Sequence, residues 1–236
     1  MQPQFNRLPE ITKNLIIINL LMFLASVTLG DFVYKNFMIY YVGNSNFQPF
    51  QLVTAFFMHA GVFHLFFNMF ALFMFGAEVE QVLGPKRFLF LYLSAGFGAN
   101  LLNLGVDYIQ VQSLMEGLSP EQIAWSTGQL DRISSDLVTA DMQELGRIWH
   151  TPALGASGAT YGILFTFAML YPNRVIYLLI PPIPIKAKYL VIGLAVIEFY
   201  QHVSHAQTGI GHFVHLSGAA IAVGIIWFWR KQGARF

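Results

Sequence analysis

The chain has 236 residues, of which 56% are apolar and only 11% charged, less than half the roughly 25% typical of soluble domains. With a mean hydropathy of +0.55 and 13 basic against 12 acidic side chains, it reads as a multi-pass membrane protein, not a soluble enzyme or a nucleic-acid binder. The complete lack of cysteine excludes disulfides, thiol nucleophiles, iron–sulfur clusters and cysteine-ligated zinc, so any chemistry falls to Ser, His, Asn, Tyr or carboxylates.

Residues 1–13 are polar, carry Arg7 and Lys13, and precede an apolar run at 14–30. This run is the first span, because no A-x-A-like cleavage site follows Ala25. The next run, 51–83, would extend roughly 50 Å as one helix, against a hydrocarbon core of about 30 Å. Gly61 is the natural break, leaving 61–83 as the second span and 51–60 folded at the interface or into protein. Further spans are predicted at 87–106, 188–205 and 212–229. Between them, 155–171, closed by Pro172, reaches only roughly 25 Å, and a span that short should leave a pit on one side. Six spans put both ends of the chain on one face, and 10 of the 13 Lys and Arg residues fall there, which makes that face cytoplasmic.

The polar segment 107–150, rich in Asp and Glu, stays outside. Ser119, Pro120 and Gln122 predict a capped helix start. Leu130, Ile133, Leu137, Met142, Leu145, Ile148 and Trp149 recur at helical spacing and predict one amphipathic helix. The organisation expected is a cytoplasmic segment 1–13, a six-span domain 14–229 with an extracytoplasmic insertion at 107–150, and a cytoplasmic tail 230–236.

Ionisable and polar residues at membrane depth are costly and mark candidate sites. His64 and Asn68 share a face of the second span. Ser157 opens the short fourth span within GASGATYG, with Tyr161 one turn on, and His215 lies near the start of the sixth. All fall within about 10 Å of the outer surface. Gly155, Ala156, Gly158, Ala159 and Gly162 on one helix and Ser217, Gly218, Ala219, Ala220 and Ala222 on the other let two backbones approach. These are parts for acyl transfer: Ser157 as nucleophile, His215 as general base, and His64, Asn68 and the Ser157 backbone N–H as oxyanion donors. Tyr161 can stack on the imidazole and replace the third member of a triad. No carboxylate is placed to orient His215, so a dyad is predicted. His212 competes for the base role, but the small-residue spacing after His215 favours the latter. Glu78 and Glu80 are expected to act as a cap or to contact Lys86 and Arg87. Glu198 should make a structural hydrogen bond to a neighbouring helix, and Asn100 and Asn103 should bond across helices.

GASG around Ser157, Tyr161, the His64 and Asn68 pair, and His215 followed by Gly218 resemble the rhomboid intramembrane serine proteases over roughly 50–229. The ladder His64, Asn68, Leu72, Gly76, Glu80, Gly84, Phe88 is similar to the family's second-span pattern. The resemblance implies an all-α bundle of six transmembrane helices with a short, central fourth helix and a fifth span acting as a lateral gate. It implies Ser157 as nucleophile, His215 as base, His64 and Asn68 as oxyanion partners, Tyr161 as ring support, His59 as a structural hydrogen-bonder in the outer loop, and Gly155, Gly158 and Gly218 as supporting glycines. It implies no cofactor and no metal, membrane-protein substrates presenting a transmembrane helix, and the basic bacterial type in the cytoplasmic membrane. Phe50 and Gln51 depart from a Trp-Arg pair that braces the first outer loop in the family, Ala222 replaces a glycine, and the 107–150 insertion is long. Two other readings compete: a rhomboid-like scaffold that binds membrane helices without cutting them, and a metal transporter using His202, His205, His212 and His215. No HExxH motif supports the latter.

Overall fold

The computed structural model describes residues 8–177, 181–204, 211–234 and 236. His205, Arg235 and residues 1–7 of the predicted N-terminal segment lie outside them. The chain begins with α1 (Glu10–Leu29) and α2 (Asp31–Phe37). A loop then leads to α3 (Gln51–Thr54) and a 3-10 turn, Ala55–Phe57. The long apolar run turns helical at Val62, directly after Gly61. It continues as α4 (Val62–Ala71), a π-helical turn (Leu72–Gly76) and α5 (Ala77–Leu83). Next come α6 (Pro85–Glu116), α7 (Pro120–Ser126), α8 (Ala140–His150) and α9 (Ser157–Leu170). A small hairpin of β1 (Val175–Tyr177) and β2 (Pro184–Lys186) pairs Val175 with Lys186 and precedes α10 (Ala187–Val203) and α11 (His212–Lys231).

Among the described residues four segments are long and apolar enough to cross a membrane: Glu10–Leu29, Val62–Leu83, Pro85–Glu116 and His212–Lys231. Their outer faces carry large apolar side chains, Phe63 at 79% exposure among them, as expected where the solvent is hydrocarbon. The protein is thus an integral, multi-pass, mostly α-helical membrane protein. At 14 residues, α9 is only about 21 Å long. It sits between α6 and α11, with Ala159, Ile163, Phe167 and Ala168 buried against Leu91, Tyr92, Ala95, Ala222 and Ile226.

Several expectations need correction. The helix predicted to end at 106 runs on to Glu116, because nothing before Gly117 stops it. Its extension forms a second core, with Val111 packed among Tyr41, Leu145 and Ile148. The amphipathic pattern starting at Leu130 becomes an α-helix only at Ala140, where Thr139 caps it by accepting the Met142 N–H. Before that point the Ser134 hydroxyl bonds locally to Asp136, a contact that competes with helix formation. The Ser119–Gln122 capping box is present in reciprocal form. The β hairpin is an addition to an all-α expectation.

Glu80 does not meet Lys86 or Arg87. Its carboxylate accepts from Ile11 N (3.0 Å), Thr12 N (2.7 Å) and Thr12 Oγ1 (2.7 Å), capping α1, whose own N-cap, Pro9, offers no side-chain acceptor. Such first-turn N–H groups otherwise lack partners. Glu78 pairs instead with Arg174 at 2.9 Å. Asn100 donates across to Leu52 O, but Asn103 donates to Asp107 one turn along its own helix. Gln51 is fully buried and braces the first outer loop. Its Oε1 accepts from the Tyr40 and Gln48 N–H groups, while Nε2 donates to the Asn36 and Asn46 carbonyls.

Candidate active site

The site is built around a contact between two backbones. A Cβ added to Gly218 on α11 would lie 2.0 Å from Gly158 O on α9, and one added to Gly162 would meet Ala95 Cβ at 2.8 Å and Gly218 O at 3.1 Å. Only residues without bulk permit this approach. Ser157 precedes Gly158, His215 stands one turn before Gly218, and Val214 O lies 3.4 Å from the Cβ position of Gly158. The close approach therefore brings the first turn of α9 level with the first turn of α11.

On the other side of Ser157 is His64. Gly155, with φ +126°, turns the chain so tightly that an added Cβ would lie 3.0 Å from His64 Nε2 and 3.6 Å from Ser157 Oγ. This conformation favours glycine. Gly155 N–H is fixed by Ala55 O at 2.8 Å, and the preceding strand-like bridge Ile39–Ala153 anchors the loop. The Ala60 N–H donates to His64 Nδ1 (3.4 Å), which leaves the imidazole proton on Nε2, facing Gly155 and Ser157. The Asn68 amide donates to the His64 carbonyl within its own helix (2.9 Å).

Tyr161 and His215 stack with centroids 4.2 Å apart and planes 9° from parallel. Contrary to the expectation that no carboxylate orients His215, Glu198 on α10 does so. Its Oε1 accepts from Tyr161 Oη–H (2.5 Å) and from His215 Nδ1 (2.9 Å), and its Oε2 lies 2.5 Å from His212 Nδ1. The bond to neighbouring helices expected of Glu198 is thus made, but to the imidazole itself. Sequence spacing could not show this contact, since Glu198 is 17 residues from His215 and 37 from Tyr161. Among the described residues Ser157 and His215 are not hydrogen-bonded to each other, and catalytic contacts often tighten only around substrate.

His59 is fully buried, yet neither ring nitrogen has a hydrogen-bond partner. Its ring packs edge-on against His64, with centroids 5.0 Å apart, and its carbonyl accepts from Tyr34 Oη–H (3.5 Å) in the outer loop. Burial, reinforced by the adjacent His64, holds His59 down to about 4. Among the described residues no group of His, Asp and Glu is arranged to hold a metal ion.

The protein's own hydrogen bonds thus consume Nδ1 of His64 and Nδ1 of His215. Among the described residues no hydrogen bond engages Ser157 Oγ, His215 Nε2 or His64 Nε2, and the first and last of these lie beside the Gly155 turn.

Fold and site together define a polytopic helical membrane protein with a polar centre where α9, α10 and α11 meet. Residues 46–232 match the Rhomboid domain, and the chain belongs to the rhomboid family, whose members are generally intramembrane serine proteases. It is similar to RHOMBOID-like protein 12, mitochondrial, of Arabidopsis thaliana, with 29% identity over 203 residues, 86% of this chain and 53% of that protein. Rhomboid protein 1, mitochondrial, of Saccharomyces cerevisiae is 26% identical over 188 residues, 77% of this chain and 42% of the relative. Rhomboid protease AarA of Providencia stuartii is 26% identical over 167 residues, 70% of this chain and 50% of the relative. The chain spans about half the length of these relatives.

Proposed function

We propose that this chain is an intramembrane serine endopeptidase that cuts transmembrane or membrane-adjacent segments of other membrane proteins, without metal or cofactor. The observation that carries the reading is the arrangement about the first turn of α9: the Gly155 turn sets Ser157 Oγ and His64 Nε2 beside one backbone position, and the Gly158–Gly218 contact with the Tyr161–His215 stack brings His215 against the same helix. Ser157 Oγ attacks the scissile carbonyl carbon while its proton passes to His215 Nε2. The carbonyl π electrons move onto oxygen, where the His64 Nε2–H and the Ser157 backbone N–H stabilise the oxyanion, with Asn68 beside them. Collapse breaks the C–N bond, and the His215 proton goes to the leaving amine. Water then repeats the sequence on the acyl-enzyme, with His215 again as base. One such oxyanion donor is typically worth about 3 to 4 kcal/mol of barrier.

The six apolar helices α1, α4–α5, α6, α9, α10 and α11 are the six crossings of this reading. Both ends of the chain lie on the cytoplasmic side of a bacterial membrane, because 10 of 13 basic residues fall at that end. The cluster of Arg174, Glu78, Arg230 and Met169 O at the far end of α9 accords with that polarity. The decisive experiment is Ser157→Ala. Cleavage of a reporter transmembrane substrate and labelling by a fluorophosphonate should both vanish while expression persists. Retained cleavage in Ser157→Ala would discard this mechanism, whereas a wild-type protein that neither cleaves the reporter nor labels would favour a non-cleaving, helix-binding protein.

A further inference from the structure

We propose that Glu198 is a positioning residue for His215, so that the site works as a Ser157–His215–Glu198 triad whose third member is delivered by α10. This inference rests on the reading of Ser157 and His215 given above. The observations are independent of it. Glu198 is the buried polar side chain of a helix whose outer face carries Ile192, Val196 and Tyr200 at more than half exposure. Its carboxylate is spent on the two helices that form the site, with Oε1 on Tyr161 Oη–H and His215 Nδ1 and Oε2 on His212 Nδ1.

A carboxylate can only accept. Held at 2.9 Å from Nδ1, it fixes the proton of neutral His215 there and leaves the lone pair on Nε2. The same oxygen ties down the Tyr161 phenol, whose ring lies flat on the imidazole. One side chain thereby sets both the tautomer and the plane of the base. When His215 takes the Ser157 proton it becomes an imidazolium, and Glu198 faces that charge where the bundle excludes water and screening is weak. Tyr161 alone supplies the plane but neither the proton position nor the counter-charge. Because the carboxylate belongs to α10 while its partners belong to α9 and α11, the triad is complete only when α10 is seated against them.

The test uses the full chain in liposomes. Glu198→Gln keeps the size and can keep a hydrogen bond at each position but removes the charge; Glu198→Asp keeps the charge. In Glu198→Gln we expect kcat and the rate of fluorophosphonate labelling at Ser157 to fall by up to about 10⁴-fold, with KM and the thermal midpoint close to wild type. Glu198→Asp should recover part of that loss. A strongly downfield His215 Nδ1–H proton resonance should be present in wild type and move upfield in Glu198→Gln. Wild-type kcat in Glu198→Gln, or no downfield resonance in wild type, overturns the proposal while leaving the Ser157 and His215 reading intact. A wild-type protein that neither cleaves nor labels removes that reading first, and this one with it.

Discussion

The contact between α9 and α11 makes a quantitative demand on Gly218. A methyl group there would sit 2.0 Å from Gly158 O, 2.6 Å from Gly158 C and 3.0 Å from Gly158 Cα. The neighbour is backbone and cannot swing aside as a flexible side chain could. Ordinary contact begins near 3.4 Å, so Gly218→Ala must part the helices by about 1.4 Å. Overpacking of that kind costs about 1 to 3 kcal/mol, which a bundle with so large a core should survive. The chemistry should not survive it, because a displacement of about 1 Å between reacting groups costs on the order of 10²-fold in rate. Gly224, two turns further along α11, has nothing within 4 Å of its Cβ position and is the control. There alanine should be neutral or stabilising by about 0.5 to 1 kcal/mol, since glycine is a poor helix former. The assay is the rate of fluorophosphonate labelling at Ser157 beside the thermal midpoint in detergent. Wild-type labelling by Gly218→Ala would refute the argument that backbone contact aligns the pair.

Two further outcomes follow from the site's other wall. Gly155→Ala should abolish cleavage with little effect on expression, because its Cβ would lie 2.9 Å from His64 Cε1 at a φ of +126° and must drive the imidazole away from Ser157; near-normal kcat would show that His64 is not needed there. For His59, held down to about 4 from an ordinary value of 6.5, the unfolded imidazole takes up a proton between those two values that the folded one refuses. Stability should therefore fall as pH drops from 6.5 to 4, by about 3 kcal/mol in all. His59→Phe should flatten that slope in thermal midpoints measured across the window, and an unchanged slope would assign the acid sensitivity elsewhere.

How much was legible in the sequence differs by residue type. The break at Gly61 could be read because an apolar run longer than the bilayer must bend somewhere, and the Ser119 cap because its chemistry is confined to four residues. The pairing of small residues around Gly158 and Gly218 was visible as composition, since close helix approach leaves no other option. Partners distant along the chain were not visible. Glu80 reaches the start of α1 across 68 and 69 residues, and Gln51 fills the bracing position with an amide whose two ends each make two bonds. Glu198 was legible in part: depth marked it as costly and a bond to a neighbouring helix was expected, but that the partner would be the His215 imidazole depends on the rotation of α10, and nothing in its apolar neighbours encodes that. The helical pattern from Leu130 misled for the opposite reason, because periodicity there survived through a stretch where Ser134 and Asp136 satisfy each other locally.

Tyr161 performs two functions that one substitution can separate. Its ring covers His215 at 4.2 Å, and its hydroxyl donates to Glu198. A charged side chain inside a membrane helix costs about 2.5 to 3.5 kcal/mol at the bilayer centre, an upper figure for Glu198 in the last turns of α10, and each hydrogen bond to a charged group returns about 1.5 to 3 kcal/mol. Three donors therefore over-satisfy Glu198, whereas two still hold it. Tyr161→Phe keeps the stack and removes one donor, so the thermal midpoint should drop by the equivalent of about 1.5 to 3 kcal/mol and labelling at Ser157 should slow only a few-fold. Tyr161→Leu loses ring and hydroxyl together, frees the imidazole plane, and should lose most activity at a similar stability. Equal inactivation of the two variants would mean that the hydroxyl, through Glu198, and not the ring, governs His215. Loss of folding in Tyr161→Phe alone would show that α10 needs all three bonds to remain seated, placing its attachment to the bundle and the orientation of the base under the same carboxylate.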